Sequence, residues 1–452
     1  MSDDVVARLR AAGLGTDEAA RKADMFAAAR AALESLPDGG ASGSSPARSF
    51  WVPGRIEFLG KHTDYAGGRS LLCTVERGIC LVARPRRDSR VRIRAVALCD
   101  MLETAFDAIE TDSSGHWGTY PTTVMRRLAR NFGGEALVGA DIAFVSDLPI
   151  AAGMSSSSAL VVAVFLALSA VNDLPARGSY RRAIQTDEDL AGYAGCMEGG
   201  MDFKELAGDR GVGTLSGSED QTAMFCARPG SLVQYAFCPV RFERAIPLPD
   251  DYTFAVASSG VVAQKTAQAM PRYNALARKA HAIADVWRAA HGGAATTIGE
   301  ILSEQPAAAT EIPSLLSVSR HDEFGAAELI ERFEQFYHES AVLIPAAGDR
   351  LARGDLTAVG ALVDRSVSIG ARLLGNQIPE TLGLSRMARE LGAAAASPFG
   401  AGWGGSVWAL VGAPESAAFL ASWQSQYAAA FPERAGHSEF FVTKAGAPAM
   451  QL

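Results

Sequence analysis

Leu148-Pro149-Ile150-Ala151-Ala152-Gly153-Met154-Ser155-Ser156-Ser157-Ser158-Ala159-Leu160 is the stretch whose reading decides the fold. Before it, Asp141-Ile142-Ala143-Phe144-Val145 alternates as a strand does. After it, Ala159 to Val171 is apolar and rich in helix formers, which predicts a buried helix. A loop of small residues therefore joins a strand to a helix N-terminus. Such a terminus leaves about four backbone N–H groups unpaired and carries partial positive charge. Gly153 and the short serines let an anion come close, so the loop reads as a phosphate cradle. No lysine follows it, unlike a P-loop, and the grip would come from backbone and hydroxyls. Taken alone, the four serines read equally as a solvated N-cap run.

The bulk of the chain narrows the choice. Its 452 residues are 48% hydrophobic and 20% charged, an ordinary globular composition with room for a large core and two lobes. A net charge of −8 argues against a nucleic-acid surface. The basic clusters Arg84 to Arg87 and Arg90 to Arg94 are interrupted by Asp88 and read as a hairpin with solvated charges. Six cysteines without a CxxC pair predict reduced, mostly buried thiols, and seven scattered histidines without HExxH argue against a histidine metal site. The N-terminus shows no signal-peptide pattern and no apolar run approaches the roughly 20 residues of a membrane span, so a cytoplasmic chain with no membrane partner is expected.

Residues 5–36 show helical spacing broken near residues 13–17, followed by a Gly/Ser-rich loop at residues 37–45. Strands are expected at residues 55–59, 79–83, 91–97, 232–238, 252–258 and 407–411. Helices are expected from Trp117 to Phe132 and over residues 180–197, 266–291, 323–338 and 382–396. Pro247-Leu248-Pro249-Asp250-Asp251 reads as a lobe boundary. Three domains follow: an N-terminal extension (1–45), a first lobe (46–247) and a second lobe (248–452).

Two further glycine-rich stretches carry chemistry. Pro53-Gly54-Arg55-Ile56-Glu57-Phe58-Leu59-Gly60-Lys61-His62-Thr63-Asp64-Tyr65-Ala66-Gly67-Gly68 gathers cation, imidazole, carboxylate and phenol between glycines. That mixture of donors and acceptors suits a polyhydroxylated ligand; a polar turn with Asp64 bonded to its own backbone is the alternative. Ser397-Pro398-Phe399-Gly400-Ala401-Gly402-Trp403-Gly404-Gly405-Ser406 is the other. Between them, Leu215-Ser216-Gly217-Ser218-Glu219-Asp220-Gln221 offers a carboxylate placed to accept a proton from a substrate hydroxyl, or simply to cap a helix.

In this order the three motifs resemble those of the GHMP small-molecule kinases, and the stretch from Pro53 to Gly68 is similar to the galactokinase signature. Trp117 with Tyr120, Tyr273-Asn274 with Arg278, and Ser397 to Ser406 extend the resemblance from about residue 50 towards the C-terminus. It implies an α+β, two-lobed GHMP kinase fold, with an N-terminal lobe like domain 2 of ribosomal protein S5, an α/β C-terminal lobe and the active site in the cleft. It also implies ATP- and Mg2+-dependent transfer to the anomeric hydroxyl of a sugar by a monomer or homodimer.

Residue by residue, the resemblance makes Asp220 the base and Arg55 its catalytic partner. Ala152, Gly153, Met154, Ser155, Ser156, Ser157 and Ser158 would hold the nucleotide, with Ser157 and Glu198 as magnesium ligands. Lys61, His62, Asp64, Gly217 and Tyr273 would bind the sugar. Asp202, in Gly200-Met201-Asp202, competes with Asp220, which is preferred because Ser216-Gly217 precedes it and Gln221 follows. Glu219 replaces an apolar residue and could raise the pKa of Asp220. Lys61 replaces a glutamate: either it faces an anionic group, as in a uronic acid, or it extends to solvent beside a neutral sugar. A non-catalytic sugar and ATP sensor, or another GHMP kinase activity, are the alternative readings.

Overall fold

The computed structural model describes residues 2–37, 46–109, 117–149, 153–262 and 270–452. Twelve strands form two sheets among the described residues. The first contains β1 (Arg48–Leu59), β2 (Arg69–Pro85), β3 (Arg90–Ala95), β4 (Asp100–Ala105), β5 (Ala140–Ser146), β6 (Ser231–Ala236), β7 (Arg241–Pro247) and β12 (Met450–Gln451). Its main path runs β12-β1-β2-β5-β3-β4, with β6 on the first residues of β2 and β7 on β6. Only the β3 and β5 pair is parallel. The second sheet is antiparallel, with order β11-β8-β10-β9, built from β8 (Tyr252–Ser258), β9 (Ala395–Pro398), β10 (Ser406–Gly412) and β11 (Glu439–Thr443). The fold is thus mixed α and β in two lobes, as expected.

Alternation along the strands explains why the first sheet is covered on both faces. Phe50, Val52, Leu81 and Ile142 point into the main core, against the helix Ser156–Val171. Trp51, Cys80, Val82 and Ala143 point the other way. There the N-terminal helices, Ser2–Ala11 and Thr16–Glu34, cover them with Leu9, Phe26 and Leu33. Lys22, fully buried on that face, pairs with Glu18 and Asp147. The helix Ser156–Val171 buries Val161, Val164, Phe165 and Leu168 completely, each worth about 1.5–3 kcal/mol over exposure.

Several expectations change in the folded chain. The stretch 180–197 is two helices, Gly178–Ala183 and Asp187–Gly199, because Thr186 breaks off to cap the second by accepting from the Asp189 N–H. The stretch 382–396 is helical only over Pro379–Glu390; Gly392, at φ +96°, turns the chain into β9. The stretch 323–338 holds the helix Ala326–Phe336, which runs on through a π-helical segment, Tyr337–Leu343, into Ile344–Ala352. Of the stretch 266–291, residues 270–291 are helical and 263–269 lie outside the described residues. So do residues 38–45 of the Gly/Ser loop and 150–152 of the serine loop.

The basic clusters are solvated only in part: Arg87 and Arg90 are exposed, as expected, whereas Arg86 and Arg92 are buried. Asp141 on β5 lies in register with Arg84 of β2 and Arg92 of β3. It is fully buried and accepts from Arg86 (2.9 Å) and Arg92 (2.7 Å), with Arg84 at 3.5 Å. Burial works to raise the Asp141 carboxyl, and the hydrogen bonds from Arg92 and Arg86 overcome it, holding the group below its usual range. A run that alternates arginines along strands is here a buried ion cluster. Among the described residues no disulfide forms: Cys73, Cys80 and Cys226 are buried thiols, while Cys99 and Cys238 are exposed.

Candidate active site

Two bulges in β1, between Pro53 and Arg55 and between Glu57 and Leu59, shift its register against β2 where its side chains meet the cleft. The cleft, about 430 Å³ counting its mouth, takes in Arg55, Glu57, Asp220, Glu198, His62 and Tyr273 among its walls. It lies where the start of the helix Ser156–Val171, the loop after β1, the helix Glu219–Cys226 and the glycine loop before β10 converge.

Asp220 sits in the first turn of Glu219–Cys226. Arg55 Nε donates to its Oδ1 at 2.8 Å, and Ser158 Oγ donates to its Oδ2 at 3.0 Å. Arg55 Nη1 also donates to the Gly153 carbonyl at 2.7 Å, tying the catalytic candidate to the serine loop. Burial works against the Arg55 cation, but Asp220, Glu219 and Glu57 outweigh it and hold the guanidinium charged. Asp202, by contrast, is exposed and only accepts from the Gly208 N–H.

The serine loop presents a helix start with Ser155 at the cap position and no side-chain cap. Gly153 and Ser155 both take positive φ, +78° and +56°. Ser155 Oγ is buried without a hydrogen-bond partner among the described residues, so a hydroxyl waits beside the free N–H groups. Ser156 and Ser157 are part-exposed there, whereas the Met154 side chain packs into the core, leaving only its backbone for a ligand. Ala152 lies outside the described residues. This cradle fits a polyphosphate. Glu198 is buried and its Oε2 accepts from Gln221 Nε2 at 2.7 Å. No group of three or more protein ligands for a metal occurs among the described residues. A magnesium ion would fit only as a shared one, held by one or two side chains and by phosphate.

The loop after β1 is held from behind by one face of the helix Ala326–Phe336 and its π-helical continuation. Glu339 accepts from the N–H groups of Gly60 (3.1 Å) and Lys61 (3.4 Å). Gln335 donates to the Lys61 carbonyl (2.8 Å) and Arg332 to the His62 carbonyl (2.6 Å). Consecutive backbone groups are thus fixed by residues spaced about a turn apart. His62, at φ +56°, hydrogen-bonds Tyr65 Oη at 2.9 Å and lies 5.1 Å from the Tyr273 ring. Asp64 accepts from the Glu219 N–H at 3.2 Å. A Cβ on Gly217 would collide with the Asp64 carboxylate, so only glycine fits at that position.

Lys61 departs from both expectations. Its side chain is 1% exposed and its ammonium turns away from the cleft, donating to Ser366 Oγ (3.0 Å) and Ser397 Oγ (2.9 Å). Ser366 in turn donates to Glu339, so the reversed charge is answered from inside the second lobe. It neither extends to solvent nor lines the cleft.

The reading of the sequence passed over Glu57. It lies 4% exposed on the cleft wall, which Glu219 also lines. Glu219 also accepts from Ser70 Oγ and stands 3.9 Å from Arg55. Burial first, and the charge of Glu57 next in the case of Glu219, push both carboxyls up. Glu57 was legible as a carboxyl two residues after Arg55 on a strand buried on both faces. Gly400, whose Cβ would overlap the Glu57 oxygens, brings the third glycine loop against it.

Residues 41–85 match the model of the galactokinase galactose-binding signature, and residues 119–203 that of the GHMP kinases N-terminal domain. A galactokinase of Roseiflexus sp. is 33% identical over 218 residues, covering 48% of this chain; the alignment spans about half (50%) of that relative's length. A galactokinase of Chloroflexus aurantiacus is 28% identical over 392 residues, covering 85% of this chain and 89% of that one. The crystal structure of Lactococcus lactis galactokinase complexed with galactose superposes with a TM-score of 0.70 at 22% identity, over 90% of this chain and 95% of that one.

Proposed function

The chain belongs to the galactokinase-like branch of the GHMP kinase superfamily, and on that premise we propose that it is an ATP- and magnesium-dependent sugar kinase acting on the anomeric hydroxyl of galactose or a related sugar. The observation that carries this reading is Asp220, held between Arg55 and Ser158, the latter in the first turn of the helix that the serine loop starts. Residues 46–247 would form the nucleotide-binding lobe and 248–452 the second lobe, except that β12 returns to the first sheet.

ATP would supply the phosphoryl group and magnesium the charge that offsets it. The backbone from Gly153 to Ser158 would hold the phosphates, with Ser157 and Glu198 towards the metal. Asp220 would take the proton of the anomeric hydroxyl, and Arg55, hydrogen-bonded to it, would face the charge that develops on the oxygen. His62, Asp64, Gly217 and Tyr273 orient the sugar, and their fixed backbone spares the entropy of ordering them at each turnover. A uronate is not part of the proposal, because Lys61 points away from the cleft.

The test is ADP release with magnesium-ATP and a panel of hexoses and pentoses, in wild type and in Asp220→Asn and Asp202→Asn. Asp220→Asn is expected to keep sugar binding and lose about two to four orders of magnitude in kcat, with Asp202→Asn near wild type. Loss in Asp202→Asn alone, or no ADP release with any sugar despite binding, would overturn the assignment.

A further inference from the structure

The N-terminal helices lie outside both matched stretches, residues 41–85 and 119–203, yet one of their side chains reaches the root of the serine loop. Lys22, on the helix Thr16–Glu34, is fully buried, and its ammonium donates to Glu18 Oε2 at 2.9 Å and to Asp147 Oδ2. A lysine is almost never buried completely unless it is paired, and the distant member of this pair is the first residue after β5. The helix otherwise covers Trp51, Cys80 and Val82 with apolar side chains. Covering such a face needs no buried ion pair, which hydrophobic residues of similar volume often replace without loss of stability.

Asp147 is where the chain leaves the sheet. Ser146 pairs with Ile79, so Gly78 is the next partner on β2. The Asp147 N–H donates to the Gly78 carbonyl at 3.2 Å, and the return bond, from the Gly78 N–H, goes to Asp147 Oδ1 at 2.7 Å. A side-chain oxygen thus stands in for the main-chain carbonyl in the last rung of the ladder. The Asp147 carbonyl is free to turn off the strand, where Arg77 Nη1 donates to it at 3.4 Å. One carboxylate oxygen closes the ladder and Lys22 holds the other, so the ion pair fixes the direction in which the chain departs. The exposed Arg21 is a further cation beside Oδ2, at 4.0 Å.

From Asp147 the contacts lead on to the phosphate cradle. Leu148, buried in the main core, and the Met154 carbonyl both press on Gly54. A Cβ there would fall 2.5 Å from Leu148 Cδ2 and 3.1 Å from the Met154 oxygen. The limb that enters the loop and the turn that leaves it are therefore gauged against the same glycine of β1. Its neighbour Arg55 donates to the Gly153 carbonyl at 2.7 Å and to Asp220 at 2.8 Å. A shift of Asp147 passes through Leu148 and Gly54 to the backbone at Gly153 and Met154.

We propose that Lys22 is a positioning residue for nucleotide binding: by holding Asp147 it sets where the serine loop leaves the sheet, which makes the helix Thr16–Glu34 a working part of the phosphate site. This rests on the sugar-kinase reading above.

The experiment is calorimetric titration of the full chain with the magnesium complex of adenylyl imidodiphosphate, an ATP analogue whose γ-phosphate is not transferred, alongside thermal melts without nucleotide. Lys22→Met removes the charge and keeps an unbranched side chain, and Asp147→Asn removes the other member of the pair. Phe26→Leu loosens the same helix on the same apolar face and leaves the ion pair in place. Lys22→Met and Asp147→Asn are expected to bind the analogue about fivefold or more weakly than wild type. Phe26→Leu is expected to stay within about twofold of wild type although its melting temperature falls. Ion-pair variants that bind within about twofold of wild type, or lose no more affinity than Phe26→Leu, would overturn the inference and leave the kinase reading standing. Asp147→Asn decides alone if Lys22→Met does not fold. A wild-type chain that binds no analogue would overturn the kinase reading and this inference with it.

Discussion

Restoring the family's glutamate at position 61 should break the second lobe's grip on the sugar loop. Lys61 is 1% exposed, and its ammonium reaches buried Glu339 through the hydroxyl of Ser366, with Ser397 as second acceptor. Glu339 is itself fully buried and binds the N–H groups of Gly60 and Lys61. Lys61→Met removes the cation and leaves the buried Glu339 carboxyl with one hydroxyl and two amides as donors among the described residues. Breaking a buried pair costs about 3–5 kcal/mol, and because a hydroxyl separates these two charges the lower end, about 3 kcal/mol, applies. At about 2–4 °C per kcal/mol for a lobe of this size, the melting temperature should fall by about 6–12 °C. Lys61→Glu should fall further, since it sets a second carboxylate beside Glu339. Differential scanning calorimetry reads the shift, and a cycle with Glu339→Gln isolates the pair: Lys61→Met/Glu339→Gln should recover at least half the loss. A Lys61→Glu protein as stable as wild type, or a double variant whose losses simply add, would refute the reasoning.

Arg332→Ala removes the donors that hold the His62 carbonyl, the Leu276 carbonyl and Gln335, and is expected to raise the sugar KM by about tenfold or more with the ATP KM little changed; Arg332→Lys should recover only part of this. Steady-state kinetics with each substrate varied in turn distinguishes that from general destabilisation, which would lower active-enzyme yield without moving either KM. The raised carboxyls of Glu57 and Glu219 hold in the folded chain a proton that the unfolded chain has released, so their contribution to stability falls as pH rises from the ordinary value near 4.5 towards their raised values. Glu219→Gln should flatten that decline, measured as urea midpoints across pH 5 to 8, and an unchanged slope would count against the raised Glu219 carboxyl. Asp141 works in the opposite sense: its lowered carboxyl stabilises above its ordinary value of 3.8 and loses that contribution on acidification. Asp141→Asn should therefore cost several kcal/mol, about 3–5, at pH 7 and progressively less as the pH falls below 4, read by chemical denaturation.

What could be read in advance was local. The strand, serine loop and helix around Gly153 need only neighbouring residues to define them, and the cluster of Arg55, His62 and Asp64 sits within ten residues of chain. That Asp220 rather than Asp202 lines the cleft was also within reach, since the flanking glycine and glutamine are adjacent. Lys61 was not, because the atoms that decide its direction belong to Glu339, Ser366 and Ser397, roughly 280 to 340 residues away. Arg86 and Arg92 misled for the same reason: their partner Asp141 joins them only through the pairing of β5 between β2 and β3. Glu57 was legible as a carboxyl two residues after Arg55, but not its place on the cleft wall, which depends on the two bulges in β1 and on the glycine loop that closes against it. The overlong helix at 382–396 shows periodicity giving way to a left-handed glycine, Gly392.

The return of β12 to β1 bears on how the chain is made. Phe50 and Trp51 on β1 wait for Gln451 and Met450, and the N–H of Leu452 pairs with the Ser49 carbonyl. At about 5–20 residues per second, about 20–80 s of synthesis separate the two strands. Through that interval β1 presents an open edge rich in aromatic and β-branched residues, the kind of edge on which nascent chains pair with one another. The first lobe is therefore completed only when the last residues of the second have been made, and a ribosome stalled in the C-terminal helices would hold out an unfinished sheet.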